Sequence, residues 1–173
     1  ITLICREGSL PEAAPETIAT FDGVFVMAPT SGPSSYDTYY GALNLTANFE
    51  SGSERVSGTA DGFYYYDTTG DGGRQGTLLS GSLDLNADEI AFDDTDDNNG
   101  RETFSMTATG RIETLGETTG SNLTAAFASL PDDPLGAGGS ANDIDMISGR
   151  GSVDFGSTEM STFFLACEAS TDC

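Results

Sequence analysis

An acidic run in the middle of the chain carries the residue types that bind divalent cations. Residues 93–100 read Asp-Asp-Thr-Asp-Asp-Asn-Asn-Gly. Calcium takes several oxygen ligands, and carboxylates and amides that follow one another in a turn can supply them together. The predicted ligands of a Ca²⁺ site are Asp93, Asp94, Asp96, Asp97 and Asn98. The glycine falls one residue later than in an EF-hand loop, so the run is not an EF-hand, and an acidic turn without a metal is the alternative.

The tyrosines form a second group that could bind a partner. All six fall in two neighbouring segments of the chain, which contain Tyr36, Tyr39 and Tyr40, and then Tyr64, Tyr65 and Tyr66. In a regular strand the second segment would place Tyr64 and Tyr66 on one face, with Phe63 and Tyr65 on the other. Aromatic rings with a polar tip suit contact surfaces. We therefore predict a binding patch of Tyr36, Tyr39, Tyr40, Tyr64 and Tyr66, with packing between paired strands as the alternative.

Three cysteines lie near the ends of the chain: Cys5, Cys167 and Cys173. They form no CxxC pair and the chain has no histidine, so a zinc site is not expected. We predict one disulfide and hence an oxidising compartment. A bond from Cys5 to Cys167 would tie the N-terminal segment to the last strand, whereas one from Cys167 to Cys173 would clip the C-terminal tail. Geometry decides between the two.

The charge balance excludes several functions. The chain has 28 acidic residues against 6 basic ones, for a net charge of −22. Phosphate binding needs clustered basic residues, so a nucleic-acid partner is not expected, and neither is docking on anionic lipid. No apolar run is long enough for a membrane-spanning helix. Without histidine there is no Ser-His-Asp or Cys-His arrangement, and no phosphate-binding loop is present, so we predict that the protein is not an enzyme.

Alternation of apolar and polar residues predicts the elements that position these groups. Leu43, Leu45, Ala47 and Phe49 fall on one face of a strand, and similar alternation recurs along the chain. The predicted strands are 21–27, 41–49, 56–66, 83–85, 90–92, 104–112, 123–127, 153–155 and 160–167. Glycines within them indicate the bends that a closing sheet uses. We predict an antiparallel up-and-down barrel of about eight strands over residues 20–173, with a β-sandwich as the alternative. Residues 1–19 are predicted to be extended or irregular.

Three phrases in the strands resemble a known family. Residues 45–52 read Leu-Thr-Ala-Asn-Phe-Glu-Ser-Gly and are followed by Val56-Ser-Gly58, and a similar phrase recurs over 149–156. Residues 76–83 read Gly-Thr-Leu-Leu-Ser-Gly-Ser-Leu, which looks like the hairpin between them. Together these resemble the transferrin-binding-protein-B-like β-barrels over about residues 36–166. The resemblance implies a lipocalin-like barrel in a bacterial surface or periplasmic lipoprotein that binds a ligand and is not an enzyme.

Two functions stay open from the sequence. The first is a non-enzymatic binding module that is secreted, exposed on the cell surface or held in the periplasm, with a protein or small molecule as its ligand. The second is a structural or adhesive subunit of an extracellular fibre or matrix. In that role the N-terminal segment would add a strand to a neighbour's sheet and build a homo-polymer, helped by the spare cysteine.

Overall fold

The chain folds into one closed sheet of antiparallel strands. The computed structural model describes residues 18–31, 37–50, 52–66, 76–90, 103–128 and 144–168. Its strands are β1 (Ile18–Pro29), β2 (Thr38–Asn48), β3 (Arg55–Tyr66), β4 (Thr77–Leu78), β5 (Gly81–Ala87), β6 (Phe104–Ile112), β7 (Gly116–Glu117), β8 (Gly120–Ala128), β9 (Met146–Asp154) and β10 (Glu159–Glu168). Among the described residues, no helix has the length and hydropathy to cross a bilayer.

The eight long strands form an up-and-down barrel. Each pairs with the long strands before and after it along the chain, and β1 pairs with both β2 and β10, which closes the sheet. The two-residue strands β4 and β7 are additions that pair with β3 and β6. The predicted fold class, an eight-stranded antiparallel barrel, is therefore confirmed.

Inward-pointing side chains fill the barrel. The alternation in β2 places Leu43, Leu45 and Ala47 inside, at 2% exposure or less, as the period of a strand requires. At mid-height, Phe25 stacks on Phe164, with ring centroids 6.0 Å apart. Towards one end, the ring of Phe127 contacts the rings of Phe21, Phe49 and Phe104. A barrel of eight strands is narrow enough for its own side chains to fill, and these rings occupy it.

Two glycines make room for two of these rings. A Cβ atom at Gly149 would lie 2.2 Å from the Phe164 ring, and one at Gly41 would lie 2.7 Å from the Phe63 ring. Both distances are shorter than two carbon atoms allow, so each ring occupies the volume that another residue's side chain would need. The register between β2 and β3 also shifts between Tyr40 and Ala42, which is the irregularity that glycine within this strand predicted.

Several strand boundaries differ from the predictions. β9 begins at Met146, seven residues before the predicted segment, because Gly149 and Gly151 weaken the strand signal in its first half. Ile90 lies outside a strand, and the rest of the predicted segment 90–92 lies outside the described residues. The short strands β4 and β7 were not predicted. β1 begins at Ile18, and residues 1–17 lie outside the described part of the chain.

Candidate binding surface

The tyrosines described by the structure lie at one end of the barrel, which we call the rim. The rim carries the connections from β1 to β2, from β3 to β5, from β6 to β8 and from β9 to β10. The two tyrosine-bearing segments pair there, with Tyr39 opposite Tyr65 and Tyr40 opposite Tyr64. Tyr36 lies outside the described residues.

Alternation sends these tyrosines to opposite faces of the wall. Tyr39 points into the barrel and is 7% exposed, so it does not lie on the outer surface with the other members of the predicted patch. Tyr40 and Tyr64 point outward and are 39% and 45% exposed. Tyr66 is half-buried, and its ring meets that of Tyr40 edge to face at 5.5 Å.

Four outward-facing apolar residues stand side by side across four strands, and we call them the aromatic row. The strand register pairs Val26 with Tyr40, Tyr40 with Tyr64, and Tyr64 with Leu78. Leu78 is 60% exposed, the largest value for a large apolar side chain in the described part of the chain. Directly paired positions on neighbouring strands bring their Cβ atoms to about 5 Å. The row is therefore a continuous apolar strip on the outer wall of the barrel.

Other apolar side chains widen the row. Phe163 on β10 pairs with Val26 and is half-buried, so the strip continues onto a fifth strand. Val24 lies two residues further along β1 on the same face and is 41% exposed. The register then passes from Phe163 to Arg150 on β9, where polar side chains begin.

A polar cluster closes the mouth of the barrel on the inner side of the same strands. The Tyr65 hydroxyl donates a hydrogen bond to Asp37 Oδ2 at 2.9 Å, and the Tyr39 and Tyr65 rings pack at 5.1 Å. Thr114, in the turn after β6, lies close enough to the Tyr39 hydroxyl to act on its pKa. Burial raises the pKa of Tyr39 above 10.0, Thr114 lowers this pKa by less, and the charge of Asp37 adds to the rise. Tyr39 is therefore a neutral hydroxyl at physiological pH.

The other predicted site residues lie mostly outside the described part of the chain. This holds for the calcium ligands Asp93, Asp94, Asp96, Asp97 and Asn98, and for Cys5 and Cys173. Among the residues that are described, no group of three or more acidic, cysteine or histidine side chains could hold a metal. Cys167 is half-buried in β10 and pairs with Asp22 on β1 and Met146 on β9. The disulfide and the calcium site both stay predictions.

The end opposite the rim carries a shallow open depression of about 430 Å³. Its lining is almost entirely polar and consists of Asn48, Gly52, Ser53, Glu54, Arg55 and Asp88. Part of that polarity is already used within the turn, since Glu54 accepts a hydrogen bond from the backbone N–H of Gly52 at 2.8 Å. Because binding sites for small molecules are mostly apolar and enclosed, the aromatic row is the stronger candidate.

Sequence reasoning did not find Val26, Leu78 or Asp37. Val26 and Leu78 did leave a signal. Val26 follows the buried Phe25 and Leu78 precedes the buried Leu79, so in each case two apolar residues are adjacent in sequence. An apolar run that breaks the alternation of a half-buried strand indicates that the outer face is apolar too. Asp37 left no signal, since its burial depends on the closure of the barrel above it.

Fold and surface together define the protein as a closed up-and-down barrel with a filled interior and an apolar strip on its outer wall. Comparison of the chain with family models, with curated proteins and with solved structures gave no match in any of the three.

Proposed function

We propose that the protein is a non-enzymatic binding module that docks a protein partner on the aromatic row. The observation that carries this proposal is the exposure of Tyr40, Tyr64 and Leu78 at directly paired positions. Soluble proteins seldom leave large apolar side chains side by side in water unless another surface covers them. Tyrosine is also enriched in protein interfaces, where its ring is buried and its hydroxyl stays hydrated.

The charge around the row indicates what kind of partner would fit. Asp61 is exposed beside the row, opposite Ala42 in the register, and Asp22 is exposed on the same face of β1 as Val24. Of the described arginines, Arg55 is at the far end of β3 and Arg111 is on β6, whereas Arg150 on β9 borders the strip beside Phe163. The chain as a whole carries −22. A partner whose binding surface has an apolar centre and a basic periphery is therefore steered towards the row and held there.

A filled barrel also separates this proposal from the lipocalin-like binding that the family resemblance implies. The positions that would line a central ligand cavity are occupied by rings such as Phe25, Phe63 and Phe164, all at 0% exposure. The proposed ligand therefore meets the outside of the wall. We retain the extracytoplasmic location, on a bacterial surface or in the periplasm, and membership of the transferrin-binding-protein-B-like barrels as parts of the proposal.

The closed sheet favours the binding module over a fibre subunit. Each of the eight long strands has a paired neighbour on both sides, so none of them is an edge strand. Strand addition by a neighbour needs an open edge. A fibre would therefore have to assemble on other surfaces.

A titration with a designed peptide tests the proposal. The probe is a peptide that carries lysine and leucine, and its control carries serine in place of leucine at the same charge. Amide NMR shifts should change along β1, β2, β3 and β4 with the leucine peptide. The double variant Tyr64→Ser/Leu78→Ser should bind about tenfold more weakly or worse, as removal of interface anchors does. The matched control, Thr107→Ala/Thr124→Ala, alters exposed positions on β6 and β8 and should bind as the wild type does.

Two outcomes would overturn the proposal. Equal affinity of the row variant and the wild type for the leucine peptide would show that binding is spread over the acidic surface. A dimer in sedimentation velocity that the row substitutions dissolve would show that a second copy of the chain covers the row.

A further inference from the structure

Asp37 is a buried carboxylate with a hydrogen bond to only one of its two oxygens among the described residues. The residue is 6% exposed, and its Oδ2 accepts the hydrogen bond from Tyr65. Its Oδ1 is buried and has no hydrogen-bond partner among the described residues. Nor does any described arginine form an ion pair with it. A buried carboxylate oxygen without a donor is costly, and such a group commonly marks the place of a ligand, an ion or a water molecule.

The groups around Asp37 resemble the surroundings that recognise an organic cation. The aromatic ring of Tyr65 reaches the carboxylate through its hydroxyl, and the ring of Tyr39 packs beside it. Tyr39 is also close enough to Asp37 for the charge to act on its hydroxyl. A carboxylate beside tyrosine hydroxyls binds ammonium and guanidinium groups through charge-assisted hydrogen bonds. A divalent metal fits less well, because it needs more anionic oxygens than one carboxylate supplies.

We propose that Asp37, Tyr39 and Tyr65 form a binding site for a primary ammonium group, such as a lysine side chain of the docked partner. An ammonium is a compact donor that can use the single free oxygen Oδ1. A guanidinium prefers to bind both oxygens of a carboxylate, and Tyr65 already occupies Oδ2. The chain has no lysine of its own to compete for the site.

The site lies at the same end of the barrel as the aromatic row and on the same two strands. Tyr39 and Tyr40 are consecutive in β2, and Tyr64 and Tyr65 are consecutive in β3, so each pair places one ring in the mouth and one in the row. A partner whose apolar centre covers the row would bring its basic periphery to the mouth of the barrel. In this respect the inference rests on the proposed function and specifies one contact of the partner.

Methylammonium is the probe that tests the site without any partner. In wild-type protein with labelled tyrosines, methylammonium should shift the Tyr39 and Tyr65 ring signals saturably, and sodium at the same ionic strength should not. Asp37→Asn should weaken this binding by about tenfold or more, since it removes a charged hydrogen bond. Asp84→Asn is the matched control, because it removes the same charge from an exposed position on β5, and it should bind as the wild type does.

A second variant keeps the test decisive if Asp37→Asn does not fold. Tyr65→Phe keeps the ring but frees Oδ2, so methylguanidinium should gain affinity relative to methylammonium. Equal shifts with methylammonium and sodium, or equal binding by the Asp37 and Asp84 variants, would overturn the ammonium site. Methylammonium binding together with unchanged peptide binding by Tyr64→Ser/Leu78→Ser would keep this site and remove the proposed docking surface.

Discussion

The outer wall of the barrel has two sectors that share one line of paired positions but differ in composition. Starting at β6, this line passes through Ser105, Thr124 and Arg150, then through Phe163, Val26, Tyr40, Tyr64 and Leu78. The first three residues, on β6, β8 and β9, form a polar sector. The last five form an apolar sector that contains the aromatic row.

The difference between the sectors shows what the fold requires and what it does not. Threonine and tyrosine both suit a strand, so the polar sector satisfies the sheet as well as the apolar one does. The same barrel could therefore be closed with a polar wall on every side. The exposed apolar sector is not needed for closure, which supports a role in contact with another molecule.

The largest expected effect compares the two faces of β10. Phe164→Ala should lower the free energy of unfolding by about 3–5 kcal/mol, because the ring is fully buried against Phe25. Phe163→Ala, at the next residue but on the outer face, should lower it by about 1 kcal/mol, because its ring is only partly removed from water. Urea denaturation of both variants measures the difference. Similar losses would mean that the apolar sector is part of the structural core.

A smaller effect is expected when the row is given the composition of the polar sector. Tyr40→Thr/Tyr64→Thr should lower the free energy of unfolding by about 1–2 kcal/mol, mainly because the contact of Tyr40 with Tyr66 is lost. The fluorescence of Nile red, an uncharged apolar dye, should fall in the same variant. The reverse exchange, Thr107→Tyr/Thr124→Tyr, should raise it. Dye fluorescence that is unchanged in both variants would contradict the assignment of the apolar surface to the row.

The smallest effect is expected near the rim, where the β4–β5 connection meets the turn after β6. The Ser80 hydroxyl donates a hydrogen bond to Glu113 at 2.9 Å, and the Ser80 backbone N–H donates another at 3.2 Å. Together they hold the pKa of Glu113 below 4.5, and the hydroxyl has the larger effect. A lowered carboxyl pKa stabilises the folded state above the ordinary pKa, and this stabilisation is lost as the pH falls through the folded-state pKa.

Removal of the serine hydroxyl tests this contact. Ser80→Ala should raise the pKa of Glu113 towards 4.5, and carboxyl-carbon NMR across an acid titration measures the change. Ser82→Ala, in the neighbouring strand β5, serves as the control. An unchanged pKa in the Ser80 variant would show that the backbone N–H alone holds the carboxylate.

The sequence predicted most of the barrel because its signals are local. Strict alternation in β2 and β6 predicted half-buried strands, and the two tyrosine segments do pair, which was the alternative to a binding patch. The first half of β9 was missed because glycine carries no side chain from which a face could be read. The two-residue strands β4 and β7 are too short to show any period.

The candidate sites depended more on closure and were less predictable. Tyr39 and Tyr40 are identical in type and adjacent, and the face that each one takes depends on the register with β3, which shifts just beyond them. Asp37 precedes β2 in a segment with no periodicity, and its burial beside Tyr65 is a product of the folded barrel. A chain rich in acids gives no sequence reason to single out one of them.

The fit of Phe164 against Gly149 and of Phe63 against Gly41 has a consequence for how the strands align. A slip of two residues between β9 and β10 would keep every side chain on its proper face, so hydrophobic patterning alone would tolerate it. Packing would not tolerate this slip in the direction that brings the Phe164 ring opposite Ile147, because the bulky side chain of Ile147 already fills the inward position. The Phe164–Gly149 pair therefore disfavours the slip that would bring Phe164 opposite Ile147, and the Phe63 ring at Gly41 adds a second ring-and-glycine contact that depends on the register of β2 and β3.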